Sequence, residues 1–196
     1  MALVDRLRNI CVSPATEWAV IAQERTEPSE LVTSFVVPLA ALSAIGGFIG
    51  STILGAILPF GGLVGGFISG LVTACITFLM IVIACYVLAF IINALAPTFG
   101  ARQDYNEAFK TAVYANSPGL AAGVLQIIPI LGSLVAVVAG FYGLYLLYLG
   151  LPITMRAPKD KAVIYLVAII VASIVLWIGV AMIAGILGMA GLMMRG

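Results

Sequence analysis

The sequence predicts an all-α membrane protein with five transmembrane helices, preceded by short amphipathic interfacial helices, and with its N-terminus in the cytoplasm. Three observations carry that prediction. Hydrophobic residues fill 63% of the 196 positions and charged residues only 9%, with a mean hydropathy of +1.23. Soluble domains carry about 25% charged residues, so this chain cannot cover a water-facing surface. Uncharged apolar tracts long enough to cross roughly 30 Å of hydrocarbon recur along it. Ahead of the C-terminal Arg195, charge is confined to three places: the first 30 residues, the island Phe99 to Pro118, and the loop around Arg156 to Lys161.

Residues 1–30 read as a cytoplasmic amphipathic segment. Leu3, Val4, Leu7, Ile10 and Cys11 share one helical face, and Asp5, Arg6, Arg8 and Asn9 the other. Ser13 followed by Pro14 is a helix start, with serine as N-cap and proline at the first position. The second helix groups Trp18, Ile21 and Ala22 and ends before Pro28. Two readings stand side by side: these helices lie in the membrane interface, where an indole buries its ring and keeps its N–H wet, or they pack on the protein's own cytoplasmic face. With acidic and basic residues scattered through it, this stretch holds no signal-peptide core, so the first apolar tract is expected to stay as an anchor.

The five-span domain is predicted over 31–196, with spans near 31–58, 63–96, 108–128, 133–151 and 162–189. Pro59-Phe60-Gly61-Gly62 forms the first turn, and Ile128-Pro129 through Gly132-Ser133 a tight hairpin between the third and fourth spans. The third span holds Asn116 and Pro118 and starts near Lys110, which can snorkel to the headgroups. Five spans place Arg6, Arg8, Arg25, Arg102, Lys110, Arg156, Lys159 and Lys161 inside and only Arg195 outside, as the positive-inside rule asks. If the 118–151 tract crossed only once, Arg156, Lys159 and Lys161 would move to the other side.

Candidate chemistry is sparse. The proposed spans hold no Asp, Glu, Arg or His, the groups by which pumps and proton-coupled transporters work. Asn93, Asn116 and Gln126, with the kink at Pro118, form either a polar path or hydrogen bonds between helices, worth about 0.6–2 kcal/mol each. Asp104 and Glu107 sit three apart on one helical face, a spacing that suits acid–base or cation chemistry. Arg102 and Lys110 beside them make simple ion pairing the stronger explanation, and the four residues a cytoplasmic partner surface. No histidine accompanies Cys11, Cys75 and Cys85, so no metal, catalytic or cofactor site is expected. The cysteines read as small buried hydrophobes, with acylation the alternative for Cys11. A net charge of +1 excludes nucleic acid as a partner.

Glycines four apart, at Gly46/Gly50, Gly61/Gly65, Gly62/Gly66, Gly66/Gly70 and Gly119/Gly123, let helix backbones approach closely, either within one bundle or between copies in a homo-oligomer. Tyr142, Tyr145 and Tyr148 step along the fourth span as interface anchors; Tyr142 is deep enough to need a buried partner.

One stretch resembles a known family. Phe99-Gly100, then Tyr105-Asn-Glu-Ala-Phe-Lys110-Thr-Ala-Val-Tyr114-Ala-Asn-Ser-Pro118, is similar to the start of the membrane core of Yip1-domain proteins. Ile128-Pro129, Tyr142-Gly-Leu-Tyr145-Leu-Leu-Tyr148-Leu-Gly-Leu-Pro152 and the basic Lys159-Asp160-Lys161 continue the likeness. Ser13-Pro14, Trp18 and Pro38 are similar to the bacterial members. The resemblance implies a five-span protein and, for a bacterial member, an inner-membrane location. Eukaryotic members bind Rab-type GTPases in vesicle traffic and carry an Asp-Leu-Tyr-Gly-Pro-like motif before the first span. That motif is absent here, so Rab binding is not carried over. The expectation is a non-enzymatic membrane-organising or adaptor protein, embedded in the lipid bilayer with membrane or cytoplasmic protein partners. The alternative is a channel or transporter for a small solute or lipid.

Overall fold

The computed structural model describes residues 3–57 and 62–193, with side chains described through residue 182. Every regular element among them is helical. Helices α1 (Leu3–Val12) and α2 (Pro14–Ile21) form an N-terminal hairpin. Four long helices follow the pattern of apolar tracts: α3 (Pro28–Ile57), α4 (Gly62–Phe99), α6 (Pro129–Thr154) and α7 (Ala162–Met193). Between α4 and α6 lies α5 (Tyr105–Ala122), prolonged by a 3₁₀ turn over Gly123–Ile127.

Among the described residues, four helices, not five, are long and apolar enough to cross a membrane. The predicted third span, 108–128, is the exception, and the reason is its position. Helix α5 has 18 residues, of which Lys110, Thr111, Ser117 and seven others from Ala108 to Leu120, with Ala122, are buried by the rest of the protein. A helix wrapped by its neighbours does not meet lipid, so it needs no apolar circumference. Its interior proline follows the same logic. Pro118 has no N–H for the Tyr114 carbonyl one turn back, and the Ser117 hydroxyl donates to that carbonyl at 2.7 Å instead.

Close backbone approaches set the packing. A Cβ added at Gly46 would lie 2.7 Å from the Gly123 carbonyl oxygen and 2.8 Å from that of Val124, and one at Gly50 would strike the Gln126 carbonyl. The Ser43 hydroxyl donates to the Leu120 carbonyl at 2.8 Å. These contacts advance together along both segments (43 with 120, 46 with 123, 50 with 126), so α5 runs parallel to α3. On its other side α3 meets α4, where a Cβ at Gly66 would lie 2.6 Å from the Thr52 carbonyl oxygen. The spacing of Gly46, Gly50, Gly66, Gly70 and Gly123 therefore serves packing within the chain, whereas Gly65 and Gly119 face open space.

Three local predictions change. The turn at residues 58–61 lies outside the described residues; Gly62, at φ +60°, begins α4. The second hairpin needs only Ile128, in extended conformation, because Pro129 already opens α6. Gly132 is not a turn residue but a contact, with a Cβ there 2.6 Å from the Leu125 carbonyl oxygen. Ser13 precedes α2 without a side-chain cap, and the Thr16 hydroxyl donates to the Ser13 carbonyl at 2.9 Å. Helix α3 widens to a π-helical stretch at Val32–Val36, just before Pro38, where a proline ring would crowd the carbonyl four residues back.

The loops after α4 and α6 meet at one end. The Arg102 amide donates to the Met155 carbonyl at 2.7 Å, Phe99 stacks on Tyr165 with centroids 5.1 Å apart, and the Tyr165 hydroxyl donates to the Ile92 carbonyl. The α1–α2 hairpin docks at this same end, with Trp18 against Gly150. Helices α5 and α6 thus leave this end and return to it.

Candidate functional site

Two places gather the chemistry-bearing residues. The first is a polar basin of about 690 Å³ at the end where the hairpin docks. Its floor begins at the start of α5. The Asp104 carboxylate is the N-cap, accepting from the Asn106 and Glu107 amides at 3.1 and 3.3 Å, an arrangement that stabilises a helix by about 1 kcal/mol. Glu107 accepts an ion pair from Lys110 at 2.8 Å. The paired carboxylates of the sequence are thus a cap and an ion-pair partner.

Lys110 departs from its predicted role. Its side chain is only 2% exposed, so it is no partner surface. The ammonium donates to the carbonyls of Ile21 and Glu24, at 3.3 and 2.8 Å. Those oxygens lie at and just beyond the C-terminus of α2, where the helix dipole favours a cation. Lys110 therefore ties the hairpin to α5. Arg102 stays 55% exposed and pairs with Asp104 at 3.1 Å, so these two keep the predicted surface position.

Beneath the basin lies a group that periodicity missed. Arg6 was placed on the wet face of α1, yet it is buried beside Ile10, while Val4 and Cys11 of the predicted apolar face are exposed. Its guanidinium pairs with Glu17 and with Glu24, and lies 5.6 Å from the centre of the Tyr114 ring. Burial alone would lower the Arg6 pKa. The hydrogen bond to Glu24 and the charges around it outweigh that and raise it, so Arg6 stays protonated. The only sequence signal was an arginine one helical turn before a buried isoleucine.

The hairpin packs on the protein itself. Ile10, Trp18 and Ile21 are fully buried against the protein, and Trp18 Nε1 has no partner instead of being wet. Val4, Val12 and Val20 face outward. The Tyr142 hydroxyl donates to the carbonyl of the exposed Cys11 at 2.8 Å, so its partner is not a buried one; Tyr145 and Tyr148 face out.

The second place is a cavity of about 480 Å³ among α3, α4, α5 and the start of α6. It brings Asn116 and Gln126 together with Ser43, Ser51, Thr73 and Thr77. Pro118, half-buried, lies inside α5 between Asn116 and the cavity-lining Gly119. Asn93 is not part of it: it lines neither this cavity nor a smaller one of about 200 Å³ that touches Asn116 and Trp177, and its Oδ1 is buried without a partner. Sequence reasoning missed the hydroxyls of α3 and α4, because single threonines and serines in apolar tracts carry no pattern. Among the described residues, no cluster of three or more His, Cys, Asp or Glu is placed to hold a metal ion.

Comparison with known proteins fits this architecture. The chain is 28% identical over 151 residues, 76% of its length and 77% of the relative's, to the inner membrane protein YohC of Escherichia coli strain K12. It matches YohC of Escherichia coli O6:H1 strain CFT073 to the same extent. No solved structure matches. The Yip1 domain family model matches residues 8–181, from within α1 into α7 and across both sites. This multi-pass membrane protein belongs to the Yip1 domain family.

Proposed function

We propose that the protein is a non-enzymatic adaptor of the inner membrane, which recruits or organises other membrane or cytoplasmic proteins through its polar basin. The name of the YohC relatives supports the location. The basin supports the role. Its walls come from the hairpin, α5 and the end of α6, held together by Lys110, and Arg25 and Arg156 at its edge pair with no carboxylate among the described residues. Arg156 adopts φ 52°, a left-handed conformation that costs a non-glycine residue about 1–2 kcal/mol. A strained, unpaired arginine at the mouth of a preformed basin suits an acidic partner surface. Charge reversal by R102E and R156E is expected to reduce co-purifying partners by about tenfold, since like charges face each other at such a contact. Affinity purification after in-cell crosslinking measures it. Recovery of the protein alone, from wild type as from variant, would remove the adaptor reading.

Orientation follows from the same end. Arg6, Arg25, Arg102, Lys110 and Arg156 gather there, next in sequence to Arg8, Lys159 and Lys161, and the positive-inside rule makes it cytoplasmic. In this reading α5 enters the bilayer as a fifth, lipid-shielded segment beside α3, and the C-terminus lies outside. Reporter fusions after Gly100, Ile130, Pro158 and Gly196 are expected to read inside, outside, inside and outside. An inside signal at Gly196 would overturn this topology.

A second reading, transport of a small solute or lipid, is favoured by one observation: Asn116 and Gln126 share an uncharged cavity between the helices. Flux of solute or lipid across reconstituted vesicles tests it.

A further inference from the structure

We propose that the cavity among α3, α4, α5 and the start of α6 binds an uncharged, hydroxyl-bearing lipid, with its polar groups on the Asn116 and Gln126 amides. This rests on the second reading above and names the ligand class for its site. The cavity is about 480 Å³, within the roughly 300–1,000 Å³ typical of small-molecule sites. No Asp, Glu, Lys or Arg lines it, so a charged headgroup would be buried without a counter-ion, at prohibitive cost. That argues against ions and phospholipid headgroups alike.

The polar groups present call for a neutral partner that both donates and accepts. The Ser43 hydroxyl is committed to the Leu120 carbonyl and that of Ser51 to the Gly47 carbonyl. The Asn116 and Gln126 amides make no side-chain hydrogen bond among the described residues, and neither is sealed off from the cavity. Each of these amides offers two donors and an acceptor. Ten helical residues, about 15 Å of axis, separate them, so each amide takes its own hydroxyl or ester oxygen of the ligand.

The remaining walls decide against water as the sole filling. Leu54, Ile81, Ala84, Leu120 and Ala136 are apolar, and a cavity lined this way holds water poorly beyond its few polar points. Leu54 is 50% exposed and so brings the cavity to the outer, lipid-facing surface of the helices. A lipid can enter there sideways and leave its chains in the bilayer.

Two glycines provide a clean test. Gly119 lines the cavity, and a Cβ there meets no atom within 4 Å; at Gly47 the first contact is Thr73 Cγ2 at 3.7 Å. Gly119→Leu therefore fills the cavity without touching the backbone contacts that hold the fold. The full-length protein in nanodiscs would be exposed to photoactivatable diacylglycerol, to a photoactivatable prenol and to photoactivatable phosphatidylglycerol. Either neutral probe is expected to label peptides containing Asn116, Gln126 or Thr73 to Thr77, with phosphatidylglycerol about tenfold weaker. G119L and the double variant N116L/Q126L should each lose labelling by about tenfold while staying monodisperse. Which neutral probe labels better identifies the source of the hydroxyl. Equal labelling by phosphatidylglycerol, labelling elsewhere in the chain, or undiminished labelling of G119L would overturn the proposal. Labelling without flux removes only the transport reading, and flux without labelling removes only this one.

Discussion

Replacing Arg6 with alanine is expected to destabilise the protein by about 3–5 kcal/mol, the usual cost of removing one partner from a buried ion pair. The loss falls on Glu17. Its side chain is 7% exposed, it has Arg6 as its ion-pair partner, and without it a carboxylate stays buried and uncompensated. Glu24 is 35% exposed and can turn to water, so it adds little. Because the Arg6 pKa is raised, its contribution is fully present below the ordinary arginine value and is lost only as pH climbs past the folded one. No pH dependence from Arg6 is therefore expected near neutrality. The double variant R6M/E17M, which removes both charges, should recover much of the loss. Thermal unfolding in detergent and the rate of tryptic cleavage at the exposed Arg25 measure both. An R6A protein as stable and protease-resistant as wild type would mean that the hairpin is held by Trp18 and Lys110 alone.

Gly50→Ala should be comparably damaging through a single methyl group. The new Cβ would meet the Gln126 carbonyl oxygen, with the carbonyl carbon at 3.1 Å and Pro129 Cγ at 3.4 Å. Backbone cannot rotate away as a side chain does, so either α3 or the 3₁₀ turn must shift. Overpacking of this kind costs about 1–3 kcal/mol, and the backbone contact puts G50A at the upper end. Gly46→Ala repeats the clash one turn earlier, against Gly123 and Val124. Gly119→Ala provides the contrast. With open space around it and a helical backbone, it should gain about 0.5–1 kcal/mol from the lower flexibility of alanine. Unfolding midpoints in one detergent decide the matter. If G50A and G119A behaved alike, glycine would be serving flexibility here and not proximity.

Composition alone revealed the membrane, and hydropathy found four of the long helices to within a few residues, because lipid imposes a solvent rule on every exposed side chain. The same rule placed α5 at 108–128 but gave it the wrong surroundings. Its Asn116, Ser117 and Lys110 look wrong for a span only if the helix faces lipid, and nothing local says that its neighbours wrap it. The basin was legible in part. Asp104 and Glu107 lie three apart as cap and third residue, a relation readable from spacing. The carbonyl partners of Lys110 lie 86 and 89 residues away, and that of Tyr142 lies 131 away, beyond the reach of any periodic pattern. Arg6 misled for a related reason: a charged residue is assigned to water unless its carboxylates can be seen, and Glu17 and Glu24 sit on another element. In the cavity, Asn116 and Gln126 stood out as amides in apolar tracts, while Asn93, equally conspicuous, faces elsewhere.

The docking of the hairpin also sets an order of events during synthesis. Helices α1 and α2 leave the ribosome before α5 and α6, so the carbonyls of Ile21 and Glu24 wait for Lys110, and Cys11 waits for Tyr142. At roughly 5–20 residues per second, that wait is on the order of ten seconds. Until then the apolar side of the hairpin, with Ile10, Trp18 and Ile21, has no protein to cover it, and the bilayer surface is the nearest apolar shelter. The hairpin is thus made before α5 and α6 but can be seated only after them.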